Sequence, residues 1–201
     1  MLLKLEKLIA KYGMKITGVI QAGAHEGEEI GDFLSAGIAH GHLFEPCEAF
    51  SRLKQEISLT VFKAYNYALS DKYSIGLMYI TETNKGQSNS FLKPKKHLEY
   101  YPDIEFKEQV FVQSETLDSF KIADCNFLMM DVQGTEHLVL KGATETLKHI
   151  DYIYTEVNRE ELYENCAMVE DMDNYLTEFK RVQTVWKRKG FGDALYIKKT
   201  L

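Results

Sequence analysis

The chain has 201 residues, a length that suits one ordinary domain rather than two. Apolar residues make up 45% and charged residues 27%, the balance of a globular protein rather than of a disordered or membrane-spanning one. The formal net charge is −6, from 24 Lys and Arg against 30 Asp and Glu, and this disfavours nucleic-acid binding, because phosphate neutralisation requires an excess of basic side chains.

The first predicted element is an amphipathic helix over residues 1–13, ending at Gly13. Its apolar residues recur at helical spacing: Leu2, Leu5, Leu8, Ile9 and Tyr12. Two interpretations stay open. We favour a helix that packs on the core of its own domain over one that lies on a membrane surface. No stretch reaches the roughly 20 apolar residues of a spanning helix, so we expect no membrane-spanning segment.

Short apolar strands then alternate with helices over residues 17–69. Strands are predicted over residues 17–21, 42–45 and 61–69, and helices over residues 28–36 and 49–57. This alternation is typical of a parallel sheet with helices on both of its faces.

Residues 72–113 interrupt the alternation. Two short strands, over residues 77–80 and 110–112, predict an inserted hairpin on the substrate side. Between them lie the small polar residues 86–90 and the basic residues 93–97. For residues 93–97 we favour a solvated turn. We expect residues 84–97 to form a mobile flap that shapes the acceptor site.

The alternation resumes after the insertion. Residues 126–131 form a nearly continuous apolar strand, as in a sheet buried on both faces. The remaining predictions are a helix over 136–147, a strand over 152–156, a helix over 171–179 and a closing pair of strands over 182–187 and 194–198 around a turn at 189–192. A closing hairpin on a parallel sheet makes one strand antiparallel. We expect a single domain over residues 1–201.

The cysteines are few and far apart. Cys47, Cys125 and Cys166 are odd in number, which favours free thiols in a reducing, cytoplasmic location over a disulfide framework. The sequence has no C-x-x-C pair, so we expect no zinc site and no other bound metal.

Functional side chains are expected where the parallel strands end, because ligands of open α/β sheets bind outside the carboxyl ends of the strands. Gly23 and Gly27, in the loop after the first strand, let the backbone approach a ligand at a helix N-terminus. Glu45 ends the second strand 22 residues after Gly23, where a carboxylate can accept both hydroxyls of a ribose. Together these features indicate an adenosine-bearing ligand.

The same loop argues against a phosphate-bearing ligand. It keeps only one of the three glycines of the G-x-G-x-x-G fingerprint, and no Gly-Lys-Ser/Thr of a P-loop is present. Four acidic residues crowd the helix start and would repel a pyrophosphate: Glu26, Glu28, Glu29 and Asp32. S-adenosylmethionine fits better, because it carries a ribose, no phosphate, a sulfonium and an ammonium.

Five motifs in order resemble those of FkbM-type methyltransferases. They are IQAGAHEG at 20–27, FEP at 44–46, NYALSD at 66–71, ETLD at 115–118, and MDVQGTE at 130–136 with VLKGA at 139–143. The resemblance covers residues 17–157. It implies a class I, Rossmann-like fold with a seven-stranded sheet whose last strand is antiparallel, S-adenosylmethionine as cofactor, and methylation of hydroxyl groups. Three residues depart from the family's usual Asp, Asn and Glu, namely Gln21, His25 and Gln133.

The strand ends and the resemblance give three sets of candidate residues. The cofactor-binding set is Gln21, Ala22, Gly23, Ala24, His25, Gly27, Phe44, Glu45, Pro46, Asn66, Ala68, Leu69 and Asp131. The substrate set is Ser88, Asn89, Ser90 and Glu156, and the catalytic set is Asp131 and Glu136. Asp131 ends a buried strand, which should raise its pKa toward that of a useful base. Glu136 begins a helix, whose dipole should lower its pKa and suit it to orienting the acceptor.

We therefore expect an S-adenosylmethionine-dependent O-methyltransferase that acts on a hydroxyl group of a small molecule or glycan. The alternative is a non-catalytic S-adenosylmethionine-binding or interaction module of the same fold. A nicotinamide-dependent oxidoreductase is disfavoured by the acidic loop. Asp131 and Glu136 favour the enzyme, since a binding module would not need two carboxylates near one strand end.

Overall fold

The computed structural model describes residues 4–187 and 190–201 as an α/β structure. Its strands are β1 (Val19–Ala22), β2 (Gly41–Phe44), β3 (Lys63–Tyr65), β4 (Ala68–Leu69), β5 (Ser74–Thr81), β6 (Phe106–Glu115), β7 (Phe127–Met130), β8 (Tyr152–Asn158), β9 (Phe179–Trp186) and β10 (Phe191–Lys198). Its α-helices are α1 (Leu5–Tyr12), α2 (Ile30–Ser35), α3 (Phe50–Glu56), α4 (Lys96–Tyr100), α5 (Glu136–Lys141) and α6 (Val169–Tyr175).

Seven strands form one sheet in the order β3-β2-β1-β7-β8-β10-β9. In this sheet the neighbouring strands β3, β2, β1, β7 and β8 pair in parallel, and β10 pairs antiparallel with both β8 and β9. This confirms the predicted class I methyltransferase architecture with an antiparallel last strand. The chain order reverses between β1 and β7, so this is the switch point at which α/β sheets bind ligands.

The central strands are buried because helices cover both faces of the sheet. Side chains of β1 alternate between two cores, with Ile20 in one and Val19 in the other. The first core includes apolar residues of α5 and α6, and the second includes apolar residues of α1, α2 and α3. Every residue of β1, β2, β7 and β8 is accordingly buried, as the uninterrupted apolar pattern of residues 126–131 predicted.

The N-terminal helix packs on the second core. Leu5 and Leu8 of α1 are buried there, and the Tyr12 hydroxyl donates to Gln183 Oε1 at 2.9 Å. This is the arrangement favoured from the sequence over a helix on a membrane. Residues 1–3 of that predicted helix and Lys189 of the predicted turn lie outside the described residues. Within the described ranges, no helix has the length and apolar character needed to cross a membrane.

Several predicted elements differ in extent from the structure. The helix predicted over residues 171–179 is α6, which ends at Tyr175, and Phe179 begins β9. The strand predicted over residues 61–69 divides into β3, in the main sheet, and β4, in a second sheet. The Asn66 side chain lies at the division, where it donates to the Glu45 and Pro46 carbonyls. The helix predicted over residues 136–147 ends as α5 at Lys141, and a short 3-10 helix follows at Thr146–Lys148, where the Asp118 carboxylate accepts the Thr146 N–H at 2.8 Å.

The insertion is built on the predicted hairpin. Strands β5 and β6 pair antiparallel, and β4 adds to β6 in parallel as a third strand. The basic residues 93–97 are not a solvated turn, because His97 is buried in α4 and Pro94 bridges to Tyr163. Ser90 exchanges both backbone hydrogen bonds with Tyr79. These contacts anchor Ser90, Pro94 and His97 within the segment, and the mobile flap over residues 84–97 stays a prediction.

Candidate active site

A cavity of about 500 Å³ opens at the carboxyl edge of strands β1, β2, β7 and β8. Twelve of the predicted site residues line it: Gln21, Gly23, His25, Phe44, Glu45, Pro46, Ala68, Leu69, Ser88, Asn89, Asp131 and Glu156. The parallel strands bring these distant residues together at the switch point, as predicted from the strand ends.

The loop after β1 is held tightly between β2 and β7. The N–H groups of Gly23 and Ala24 both donate to the Phe44 carbonyl at 3.0 Å. Gly23 has a φ of 78°, and a Cβ at this position would lie 2.0 Å from the Asp131 carbonyl oxygen. A residue other than glycine would therefore force the loop away from β7 and change the wall of the cavity.

Glu45 presents a buried carboxylate to the cavity. Its Oε2 accepts the His25 N–H at 3.0 Å, and its Oε1 accepts the Cys47 N–H at 2.8 Å. Burial raises the pKa of Glu45, while these two backbone hydrogen bonds act in the opposite direction. Each oxygen is thus fixed by one N–H and retains acceptor capacity for a further donor.

Gln21 lies one residue before the end of β1 and lines the same cavity as Glu45. Its Nε2 donates to Glu29 Oε2 at 3.0 Å, which fixes the orientation of the amide. Its Oε1 is buried and has no hydrogen-bond partner among residues 4–187 and 190–201. A buried acceptor without a partner is costly, so this oxygen is suited to a donor brought by a ligand.

Asp131 follows β7 on the opposite side of the switch point. Its Oδ1 accepts a 2.6 Å hydrogen bond from Gln133 Nε2, and Gln133 Oε1 accepts one from the Tyr163 hydroxyl at 2.8 Å. Burial raises the pKa of Asp131, and the Gln133 hydrogen bond opposes this shift. The raised pKa confirms the direction predicted from its position at the end of a buried strand.

Glu136 does not behave as predicted. It does not line the cavity, and its Oε1 accepts the N–H groups of Val132 at 3.0 Å and Gly134 at 3.3 Å. Burial raises the pKa of Glu136 to about 7, whereas the helix dipole was expected to lower it. Desolvation outweighs the dipole here, because α5 is only six residues long and the carboxyl group is buried.

A second acid, Glu156 of β8, lies in the cavity wall. Its register partner is Asp193 of β10. Burial, followed by the charges of Asp131, Glu136 and Asp193, raises the pKa of Glu156 well above its usual value. Lys187 also lines the cavity, and its positive charge acts against the pKa shifts of Asp131 and Glu156.

His25 connects the loop after β1 to the insertion. Its Nδ1 lies 2.7 Å from Glu28 Oε1, and its Nε2 lies 2.8 Å from the Lys85 carbonyl. Burial lowers the pKa of His25, but these hydrogen bonds and the charges of Glu28 and Glu45 together raise it above its usual value. The turn of residues 82–87 is thereby joined to the wall of the cavity.

Some predicted site residues lie behind the wall rather than in it: Ala22, Ala24, Gly27, Asn66, Ser90 and Glu136. They hold the residues that do line the cavity. The Ala22 carbonyl accepts the Asp131 N–H at 3.1 Å, Asn66 fixes the chain after β2, and Ser90 Oγ donates to the Gln133 carbonyl at 2.7 Å.

Several lining residues were missed from the sequence. Lys187 follows β9, Phe191 begins β10, and His97 and Tyr101 come from the insertion. The positions of Lys187 and Phe191 could have been predicted from the sequence. The predicted last strand is antiparallel, so it begins at the edge of the sheet where β8 ends. The positions of His97 and Tyr101 could not have been predicted, because they depend on how the insertion packs against residues 161–164.

The charged residues of the cavity wall are mostly acidic. Five of its residues are carboxylic acids, namely Glu28, Glu29, Glu45, Asp131 and Glu156. Such a wall disfavours phosphate groups and suits a ligand that bears positive charge.

Comparisons with known proteins agree with this geometry. The family model of the Methyltransferase FkbM domain matches residues 21–189. The 2-O-methyltransferase NoeI of Sinorhizobium fredii (strain NBRC 101917 / NGR234) is 33% identical over 99 residues, which cover 47% of this chain and 41% of that protein.

Solved structures show the same fold. Methyltransferase FkbM from Methylobacillus flagellatus KT is similar over 90% of this chain and 43% of its own, with a TM-score of 0.60 and 13% identity. Magnesium protoporphyrin IX methyltransferase from Synechocystis PCC 6803, solved with bound SAM, is similar over 96% of this chain and 75% of its own, with a TM-score of 0.53 and 10% identity. The matched regions span less than half of NoeI and of the M. flagellatus protein.

Proposed function

This chain belongs to the FkbM methyltransferase family, and from that premise we propose that it is an S-adenosylmethionine-dependent methyltransferase acting on a hydroxyl group of a small molecule or glycan. The observation that carries the proposal is the Glu45 carboxylate, which is buried at the switch point with one backbone N–H on each oxygen. A fixed pair of acceptors at the end of β2 suits the two hydroxyls of a ribose.

The residues present fit S-adenosylmethionine. Glu45 would accept the ribose hydroxyls, and the loop at Gly23 would let the backbone approach the methionine part. Gln21 Oε1, the buried acceptor without a partner among the described residues, would accept from the ammonium group. This oxygen replaces the carboxylate that the family usually has there. When bound, the cofactor supplies a methyl group on a positively charged sulfur, which is a good leaving group.

The chain's own residues must then orient the acceptor and hold its proton. An alcohol is a poor nucleophile at neutral pH, so a base within hydrogen-bond reach contributes roughly 10²–10⁴-fold. Asp131 lines the cavity with a raised pKa and an orientation fixed by Gln133, which suits it to take the hydroxyl proton on its carboxylate. Glu156 is the second carboxyl group in the same wall.

Polar groups of the insertion face the same cavity and suit a hydroxyl-bearing acceptor. Ser88 and Asn89 line it, and Ser88 Oγ is held by Asn84 Nδ2 at 2.8 Å and lies 3.1 Å from His97 Nε2. The name of NoeI, a 2-O-methyltransferase, supports oxygen as the atom that is methylated.

Binding and turnover measured together test the proposal. Calorimetry should show that the protein binds S-adenosylmethionine and not a nicotinamide dinucleotide. Glu45→Gln should weaken this binding roughly tenfold or more, because its NH2 group would replace one carboxylate oxygen, which accepts a backbone N–H, and could no longer accept a ribose hydroxyl. Glu48→Gln, an exposed neighbour, is the matched control.

The outcomes separate the alternatives. Release of S-adenosylhomocysteine with a hydroxyl acceptor supports the enzyme, whereas tight cofactor binding without turnover across an acceptor panel would indicate a binding module. Preferential binding of a nicotinamide dinucleotide would overturn the proposal. Unchanged affinity in a folded Glu45→Gln protein would remove Glu45 from the ribose site.

A further inference from the structure

Three side chains that commonly bind metals meet at the edge of the sheet opposite the cavity. His40 immediately precedes β2, and Asp124 and Cys125 precede β7. One ligand atom from each lies within 4.8 Å of the other two. His40 Nε2 is 3.7 Å from Asp124 Oδ2, and Cys125 Sγ is 3.6 Å from Asp124 Oδ1.

The absence of a side chain at Gly18 leaves room for the His40 and Cys125 side chains to approach each other. Gly18 precedes β1, which lies between β2 and β7 in the sheet. A Cβ on Gly18 would lie 2.5 Å from His40 Nε2 and 2.8 Å from Cys125 Sγ. Both ligand atoms therefore face the same small space above the backbone, and a larger residue would displace at least one of them.

We propose that His40, Asp124 and Cys125 form a zinc-binding site that is separate from the methyl-transfer cavity. Imidazole nitrogen, carboxylate oxygen and thiolate sulfur together are a ligand set of Zn²⁺, with bonds of about 2.0–2.3 Å that place neighbouring ligands of a tetrahedral ion about 3.3–3.8 Å apart. His40 Nε2 and Cys125 Sγ each lie near this spacing from Asp124, although from different carboxylate oxygens, and the set as a whole lies within 4.8 Å. A fourth position would remain for water, and zinc can enter from solvent because Asp124 is 58% exposed.

His42 supports this site as a positioning residue. Its Nε2 lies 3.5 Å from Asp124 Oδ1, and its Nδ1 lies 2.9 Å from the Tyr65 hydroxyl. Its ring also stacks on Tyr65, with ring planes 8° apart. Such outer contacts fix the orientation of a ligating carboxylate. No local sequence pattern indicates the site, because 84 residues separate His40 from Asp124 and no C-x-x-C pair is present.

The competing explanation is a metal-free cluster in which His40 Nε2 lies 3.3 Å from the Asp124 backbone carbonyl, the Cys125 thiol donates to the Asp124 carboxylate, and His42 pairs with it. Titration of the metal-free chain with Zn²⁺ distinguishes the two. The proposal expects one Zn²⁺ per chain, and a melting temperature that rises by about 5–10 °C when free Zn²⁺ is about 100 times the dissociation constant. Mg²⁺ should have no such effect, because it prefers ligand sets made only of oxygen.

Co²⁺ provides a spectroscopic readout of the ligands. It should give the absorption of a tetrahedral ion together with a thiolate-to-metal charge-transfer band. Cys125→Ser should abolish the band, and Asp124→Asn should weaken binding roughly tenfold or more. Cys166→Ser, a second buried thiol away from the site, should leave both unchanged.

The Zn²⁺ and Co²⁺ measurements on the wild-type chain and its variants decide whether the zinc site exists. Because Cys125 is buried, its variant is compared with wild type by circular dichroism, and Asp124→Asn provides a second test at an exposed position. Absence of stoichiometric Zn²⁺ binding by the folded wild-type chain would overturn the site. A thiolate band that persists in Cys125→Ser, or Zn²⁺ binding unaffected by Asp124→Asn, would also overturn it. None of these readouts depends on methyl transfer.

Discussion

Gln133 fixes the orientation of Asp131 and connects it to the insertion. Its amide donates to Asp131 Oδ1 at 2.6 Å and accepts from the Tyr163 hydroxyl at 2.8 Å, and its backbone has a φ of 53°. The Tyr163 hydroxyl also lies 3.1 Å from the Ser88 carbonyl. Ser90 Oγ of the insertion also donates directly to the Gln133 carbonyl at 2.7 Å. Gln133 therefore connects the carboxylate proposed as the base to the segment proposed to hold the acceptor.

Replacing Gln133 should alter the chemical step more than cofactor binding. Gln133→Met removes the donor to Asp131 and should lower kcat roughly 10–100-fold, because a hydrogen bond to a charged group is worth about 1.5–3 kcal/mol. Losing that bond raises the pKa of Asp131 further, so the acidic limb of the kcat/KM profile should move to higher pH. Tyr163→Phe, which keeps the Gln133–Asp131 contact, should have a smaller effect. An unshifted pH profile in Gln133→Met would contradict this role.

Asp131→Asn tests the base directly. The variant should fold and bind S-adenosylmethionine, because Asn can still accept from Gln133, but it should lose roughly 10²–10⁴-fold in turnover. Asp103→Asn, at an exposed position of the insertion, is the control. A fully active Asp131→Asn enzyme would exclude the base. Weaker cofactor binding with an intact chemical step would instead assign Asp131 to holding the methionine part.

The strand ends could be predicted from the sequence because their pattern is local. An apolar run followed by Gly23, by Glu45 or by Asp131 indicates the end of a buried strand, and the topology of a parallel sheet then brings these residues to one edge. For the same reason, the seven-stranded sheet and its antiparallel last strand could be predicted before the structure.

Features that depend on packing could not be predicted this way. His97 belongs to a basic stretch that looks solvated, yet Lys95 and His97 donate their N–H groups to the Leu162 carbonyl and the His97 ring is buried. The pKa of Glu136 depends on burial that no local pattern reveals, and its shift is opposite in sign to the helix-dipole expectation. The convergence of His40 with Cys125 depends on the adjacency of β2, β1 and β7.

Glu136→Gln should change how stability depends on pH. The folded pKa of about 7 lies above the unfolded value of about 4.5, so between these values the folded state holds a proton that the unfolded state has released. Stability from this group therefore falls as pH rises through that window, by on the order of 3 kcal/mol. The amide oxygen introduced by the substitution would keep the same acceptor role toward the N–H groups of Val132 and Gly134.

Urea unfolding at several pH values measures this difference. The Glu136→Gln protein should lose less stability than the wild type between about pH 5 and pH 8, and its turnover should fall less than that of Asp131→Asn. Parallel stability curves for the two proteins would show that Glu136 is ionised in the folded state throughout this range.

His25 should make the contact between its loop and the turn of residues 82–87 dependent on pH. The imidazolium can donate to both Glu28 and the Lys85 carbonyl, whereas the neutral ring can donate to only one. Because the folded pKa is raised, this stabilisation is complete below the unfolded value of about 6.5 and is lost as pH rises through the folded value.

Hydrogen exchange, expressed as protection factors, should show that residues 82–87 lose protection as pH rises above about 6.5, because the His25 contact weakens. His25→Gln should remove this pH dependence. Residues 93–97, anchored on residues 161–164, serve as the internal control. With cofactor and acceptor bound, protection of the turn should increase. Strong protection of the turn that is the same at every pH, with or without ligands, would exclude a closing movement.

The loop after β1 should tolerate no side chain at Gly23. An alanine Cβ there would lie 2.0 Å from the Asp131 carbonyl oxygen, and the φ of 78° disfavours any residue other than glycine. The loop must therefore move, and a displacement of about 1 Å at such a site can cost roughly a hundredfold in function.

Gly31→Ala is the matched control. Gly31 lies in α2, and a Cβ added there would have no atom within 4 Å. The change should therefore stabilise that helix by about 0.5–1 kcal/mol. Calorimetry with S-adenosylmethionine, accompanied by thermal melts, should show binding lost in Gly23→Ala and retained in Gly31→Ala. Wild-type affinity in a folded Gly23→Ala protein would mean that the cofactor does not rely on the close approach of this loop to β7.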